Sequence, residues 1–520
     1  MKNRFLIMMI IGGVLVAGCD KNFEGINIDP TKLTPGNMNF HYMFTSAQLV
    51  TSGNSDGNAY EDWRNNLIYA STMMQHLSST TGYWAGDKYT YNAGYNAAYW
   101  DANYPNSVKN IVEVVENTRE DDALVNLHQI ARIFKVFMFQ RLTDMYGDIP
   151  YTQAGKGYIS GTTHPVYDKQ QDIYTHMLNE LKEAAEALNA SLPNTVGNAD
   201  LMYGGDVAKW KKFAYSLMVR LSMRMSKVAA GDAETWVKAA VAGGVMTDNA
   251  DNALVQHEAI DRNTVTNGNG WVLVGVDPDA SRMSNTFISM LKTTNDPRLR
   301  YLATVVTSPA TTTDKGNNTP ANQLGQPNGY DLGGAATDIS HAPNWPGNRN
   351  LYSVVNRETF ARKDAPTFFL THAETQLLLA EAAQRGWIAG TAVTYYNAGV
   401  TAAMKQLNQV GANPGVTDGE VTTYLGANAY NPASGLQQIN TQYWIATFMD
   451  EYEAWANWRR SGFPVLAPVN YFGNVTNGTI PRRFTYPLNE AAVNPENYSA
   501  AIGGLQDGDK MTSRVWWDKP

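Results

Sequence analysis

Residues 206–226 read DVAKWKKFAYSLMVRLSMRMS. Val207, Trp210, Phe213, Ala214, Leu217, Met218, Leu221 and Met225 recur every three or four positions. That period places them on one face of a helix, and Asp206 stands where an N-cap belongs. Residues 172–188 repeat the pattern through Ile173, Tyr174, Met177, Leu178, Leu181, Ala184, Ala185 and Leu188. Residues 122–147 are apolar on most sides between Ile130 and Phe139, which predicts a central, well-buried helix. Further helices are expected at 366–387, 392–407 and 440–462. The first two form a hairpin across a short turn from Gly386 to Gly390. One-sided helices must bury their faces on one another, so the expected fold is all-α. The helix pairs suggest tetratricopeptide-like packing with few short strands, although no 34-residue sequence period is visible.

Two tracts depart from this pattern. Residues from about 255 to 365 are rich in Gly, Asn, Thr and Pro, with one short helix expected near Asn285 to Lys292. Residues 464–500 carry Pro464, Pro468, Pro481, Pro487 and Pro495. Loops this long inside a folded body are usually functional or held down by the scaffold. No linker of the kind that separates independent domains is seen, so residues 38–520 read as one helical domain with a loop-rich insertion at about 255–365.

The amino terminus has its own logic. Lys2 and Arg4 precede a short apolar run, too short to span a bilayer, and small residues follow. Residues 1–18 therefore read as a secretory signal, and LVAGCD at 15–20 resembles a bacterial lipobox with Cys19 as the lipid attachment. Cys19 is the only cysteine, so the rest of the chain can build no disulfide, cysteine-zinc site or cysteine nucleophile. Residues 19–37, with Pro30 and Pro35, read as a flexible tether. No later apolar run is long enough for a membrane helix. The net charge of −8 without basic runs argues against a nucleic-acid partner.

Catalytic signatures are missing. The sequence holds no G-x-S-x-G and no P-loop, and NGNGWVLVG at 267–275 does not fit a dinucleotide fingerprint. His257-Glu258 lacks the second histidine of a zinc motif. Asp277 and Asp279 in DPDAS read as a polar turn, and no cofactor or metal site is expected. Asp450, Glu451 and Glu453 are the carboxylates an all-α glycosidase would use. The sequence favours a structural role for them, paired on their own helix with Arg459 and Arg460.

The stretch at 80–100, TTGYWAGDKYTYNAGYNAAYW, interleaves large rings with small polar residues. Tyr83, Trp84, Tyr89, Tyr91 and Tyr95 are candidate ligand-binding residues, because rings supply contact area at low conformational cost. Sugars stack weakly polarised C–H faces on such rings, and peptides can use the same surface. Tyr99 and Trp100 are expected to start the next helix and face the core. Trp271 and Trp345, in the loop-rich tract, are weaker candidates.

Several stretches, in order, resemble the SusD/RagB family of outer-membrane lipoproteins, especially its SusD-like subgroup. They are INIDPTKLTP, LTDMYGDIPYTQA, KWKKFAYSLMVRLSMR, NDPRLRY, LTHAETQLLLAEAAQRGW, YYNAGVTAAMKQL, EAWANWRRSGFPVL and IPRRFTYPLNEAAVNPENY. The resemblance implies a lipid-anchored protein on the outer face of the outer membrane. It implies a hinged lid over a TonB-dependent (SusC-like) β-barrel transporter that holds a glycan, or sometimes a peptide, and that carries no catalytic residues. It also implies that Arg459, Arg460, Arg482 and Arg483 stabilise the fold or the transporter contact. An all-α glycoside-processing enzyme and a helical scaffold without nutrient remain the alternatives.

Overall fold

The computed structural model describes residues 38–54, 59–260 and 264–520. The signal, Cys19 and the tether lie outside them. Helices dominate: α1 (Phe40–Thr51), the π-helical α2 (Asp62–Ser71), α3 (Ala93–Asn103), α4 (Lys109–Asn117), α5 (Val125–Tyr146), α6 (Gln170–Ala187), α7 (Val207–Arg224) and α8 (Ala230–Gly243). From α4 to α8 each helix packs on the next. This is the tetratricopeptide-like arrangement the periodicity predicts. The Asp206 carboxylate accepts from the Ala208 and Lys209 amides and caps α7. The middle of α5 is buried nearly all round, as its sequence requires. Among the described residues, no helix is long and apolar enough to cross a membrane.

The second half carries α9 (Asn285–Thr293), α10 (His372–Gln384), α11 (Ala392–Lys405), α12 (Asp418–Ala427), α13 (Gly435–Ala446), α14 (Glu451–Ser461) and α15 (Pro495–Gly503). α10 and α11 form the expected hairpin. Two expectations need correction. The residues before α10 form a strand, Thr367–Leu370, and α10 starts only after Thr371, whose side chain completes a capping box with Glu374. The expected helix at 440–462 is two helices, broken where Met449 takes φ +75°.

Among the described residues, eight strands form four two-stranded antiparallel pairs. β4 (Ala253–Val255) pairs with β8 (Thr367–Leu370), closing the base of the loop-rich tract. β1 (Leu77–Ser79) pairs with β5 (Ser281–Met283), with Ser78 opposite Arg282. This second pairing matters most for function, because it brings segment 80–91 against residues 277–280. The remaining pairs are β2 (Ile149–Pro150) with β3 (Tyr167–Asp168), and β6 (Ala303–Thr304) with β7 (Val354–Val355).

Glu451 and Glu453 are buried and Asp450 is partly exposed, and their partners come from other segments of the chain, not from Arg459 and Arg460. Arg224 of α7 donates to both Glu453 oxygens at 2.7 and 2.8 Å. Arg220, one turn earlier, donates to Glu374 of α10 at 2.6 Å. Arg141 of α5 donates to Asp450 at 2.9 Å, and His76 lies 2.7 Å from Glu451. Burial raises the pKa of Glu453, but the Arg224 and Arg220 guanidiniums outweigh it and hold the group below its usual range. Glu451 and Glu453 are tied into the interior, while Asp450 also lines a cleft with Asp62, Arg141 and Glu374. Arg460 donates to both oxygens of Glu381, while Arg459 lies over the Trp455 ring and donates to the Arg482 carbonyl. Arg482 and Arg483 pair with Asp518 and Asp509. All four arginines serve the fold.

Candidate functional site

The most distinctive surface is organised by one carboxylate, Asp277. Its Oδ1 accepts from the Tyr83 hydroxyl at 2.6 Å. Its Oδ2 accepts from the indole N–H of Trp84 at 2.7 Å and of Trp63 at 3.1 Å. Three rings from two chain segments are thereby fixed on one side chain. Burial, followed by the bond to Asp277, pushes the Tyr83 hydroxyl pKa up, so it stays a protonated donor at any physiological pH. The β1–β5 pairing continues into this site. The Thr80 amide donates to the Ala280 carbonyl and its hydroxyl to the Asp279 carbonyl, which sets segment 80–84 beside Asp277.

Arg64 extends the surface along α2. Its guanidinium lies 4.0 Å from the Tyr60 ring centre, 5.1 Å from Trp63 and 5.7 Å from Tyr95, within cation–π range of each. Tyr60, Trp63, Arg64 and Tyr95 are all half-buried, with part of each open to solvent. The result is a line of partly exposed rings running from Tyr83 through Trp63 to Tyr60 and Tyr95.

Segment 80–91 is held from beneath. Gly86 sits so close to α2 that an added Cβ would lie 2.5 Å from the Ile68 and Tyr69 carbonyl oxygens. Asp87, fully buried, accepts from the Ser79 amide and hydroxyl and from Asn328 Nδ2. Lys88, also buried, donates to the Thr81 and Trp84 carbonyls. Tyr89 adopts a left-handed backbone with φ +53°. Its hydroxyl accepts from the Val469 amide and its carbonyl from the Val475 amide, pinning the proline-rich loop.

The seven ring candidates thus divide. Tyr83 and Tyr91 are exposed, at 45% and 42%, and Tyr95 is half-buried. Trp84 is 0% exposed and Tyr89 1%, so the reading of these two as ligand faces is corrected. The small residues between the rings let the segment sink onto α2, and these two rings fill the space beneath it. Trp271, at 7% exposure with Lys363 over its face, is likewise interior. Trp345 is half-buried against Tyr352, and among the described residues no ring contact joins it to the Asp277 surface. Asn92 caps α3, so Tyr95 begins that helix while Tyr99 and Trp100 sit further along it, in the core. Tyr60, Trp63 and Arg64 were not among the candidates. Their i, i+3, i+4 spacing in YEDWR was the available signal, since it puts two rings and a guanidinium on one helix face.

The family described as "Starch-binding associating with outer membrane" matches residues 39–487. The chain belongs to this SusD-like family. A solved chitin-binding protein is 35% identical, superposes with a TM-score of 0.80, and is covered in full by 93% of this chain. A SusD-like protein of Bacteroidetes is 29% identical with the same TM-score and coverage. A chitin-binding SusD homologue from Flavobacterium johnsoniae, 23% identical over 92% of this chain and 99% of its own, shares the fold with a TM-score of 0.76. A search of curated protein sequences gives no match. The SusD-like fold is thus a body of paired helices on which the loop-rich tract carries Asp277 to its rings.

Proposed function

We propose that this SusD-like chain captures an oligosaccharide on the ring surface of Tyr83, Trp63, Tyr60 and Tyr95, with Tyr91 at its border. The observation that carries the reading is the fixing of partly exposed rings by Asp277. Sugar C–H faces stack on such rings, and prepositioned rings lose little freedom on binding. The 35% identical chitin-binding protein makes oligosaccharides of N-acetylglucosamine the first ligands to test. The carboxylate of this surface, Asp277, is occupied by three ring donors, so the proposed activity is capture, not hydrolysis.

In the same reading Cys19 carries the lipid, the body faces the cell exterior, and the chain acts as a lid for a TonB-dependent transporter. The tether would let the body swing while the lipid holds it at the membrane. Trp345 contributes only if a long glycan reaches beyond the Asp277 surface.

Purification from the native outer membrane in mild detergent tests the partnership. One TonB-dependent barrel in stoichiometric amount is the expected result. Recovery of the protein alone would overturn the lid reading and leave a free-standing binder. Cys19→Ser should release the chain from the membrane fraction; continued membrane attachment of that variant would refute the anchor.

A further inference from the structure

A separate cavity of about 470 Å³ opens between α4, α5, α6 and the residues after β2. One wall is apolar, built from Val112 and Phe139. The other carries four cations, Arg119, Arg132, Lys135 and Lys156, against two carboxylates, Glu116 and Glu180. Each carboxylate already serves two cations. Glu116 lies 2.8 Å from Arg119 and 3.3 Å from Lys156; Glu180 lies 3.0 Å from both Arg132 and Lys135. Glu183, on the exposed rim, takes a second nitrogen of Arg132 at 3.0 Å. The cavity therefore keeps an excess of positive charge next to an apolar wall.

Two histidines line the cavity: His176, beside Glu180, and His128, which reports the same field. His128 is held down to about 4, first by burial and then by Arg132, Arg119 and Lys135. It is uncharged at neutral pH, and its Nδ1 is 3.1 Å from the Thr118 hydroxyl.

We propose that this cavity binds a sugar-sized organic anion bearing a single carboxylate. The volume lies in the range of small-molecule sites. Guanidinium and ammonium groups recognise a carboxylate through charge-assisted hydrogen bonds, and the apolar wall covers a ring that an inorganic ion lacks. Glu116 and Glu180 favour a monoanion, because a dianion would meet more repulsion from them. The site shares no residue with the Asp277 surface, so it does not depend on that reading.

The test is calorimetric titration of the purified full-length chain with sodium glucuronate, glucose, acetate and sulfate. Glucuronate should bind saturably and raise the melting temperature, glucose should not bind, and added salt should weaken the interaction. Arg119→Gln with Lys156→Gln should weaken glucuronate on the order of tenfold. Arg119 is exposed and Lys156 is half-buried, and both pair with Glu116 at the surface, so the variant should melt within a few degrees of the wild type in the absence of ligand. Trp63→Ala should leave glucuronate binding unchanged. Absence of glucuronate binding, equal affinity in the double variant, or acetate or sulfate binding as tightly as glucuronate would each overturn the proposal.

Discussion

Asp277→Ala is the sharpest perturbation of the ring surface. It removes the acceptor of three donors at once: the Tyr83 hydroxyl and the Trp84 and Trp63 indoles. Trp84 is fully buried, so its N–H loses its partner away from water, at a cost of about 1–3 kcal/mol in stability. Tyr83 and Trp63 are partly exposed and gain rotamer freedom that a ligand must then remove. At about 0.5–1.5 kcal/mol per side chain, two released rings cost about 1–3 kcal/mol of binding, roughly 5- to 150-fold in Kd. Asp277→Asn should be milder. Its Oδ1 can still accept from both indoles while the Tyr83 hydroxyl turns to accept from Nδ2, so mainly the charge assistance is lost. Calorimetric titration with an oligosaccharide that the wild type binds, beside thermal melts, reads both effects. Wild-type affinity in Asp277→Ala, or weaker binding in Asp277→Asn than in Asp277→Ala, would refute the claim that this carboxylate prepositions the rings.

Other predictions follow from burial and charge. Trp84→Ala should lower stability by about 3–5 kcal/mol in denaturant unfolding, whereas Tyr83→Ala should cost about 1 kcal/mol or less while weakening the ligand. Glu453→Ala leaves Arg220 and Arg224 without their shared partner and should destabilise by about 3–5 kcal/mol. For Glu381, burial works upward, yet Arg460 and Arg385 hold the carboxyl down at about 2. A depressed folded pKa gives stability that is fully present above the unfolded value of about 4.3 and lost as pH falls toward 2, up to about 3 kcal/mol. Urea unfolding between neutral pH and pH 2 should show that loss, and Glu381→Gln should flatten it.

The helical body was legible because its faces repeat at helical spacing and the Asp206 cap stands in the sequence. The break at Met449 was not, since apolar residues continue through it and only the backbone reverses. The start of α10 was legible in principle. Thr371 and Glu374 form a capping-box pattern, but the run TFFL before them is as compatible with a helix as with the strand it forms. Ring content pointed to the right segment, yet alternation with small residues does not distinguish rings that sink from rings that stay out. Trp84 and Tyr89 sank because Gly86 lets the segment lie on α2. Asp277 lies 193 residues beyond Trp84 in the chain, and only the β1–β5 pairing brings the two together.

The central claim is that the surface of Tyr83, Trp63, Tyr60 and Tyr95 holds a glycan. Calorimetric titration of the wild type and of Trp63→Ala with Tyr83→Ala, using chito- and malto-oligosaccharides, addresses it most directly. The account predicts saturable binding of one series by the wild type and its loss in a double variant that still melts as a folded protein. Binding unchanged by the double substitution, or no binding of either series by the wild type, would contradict it.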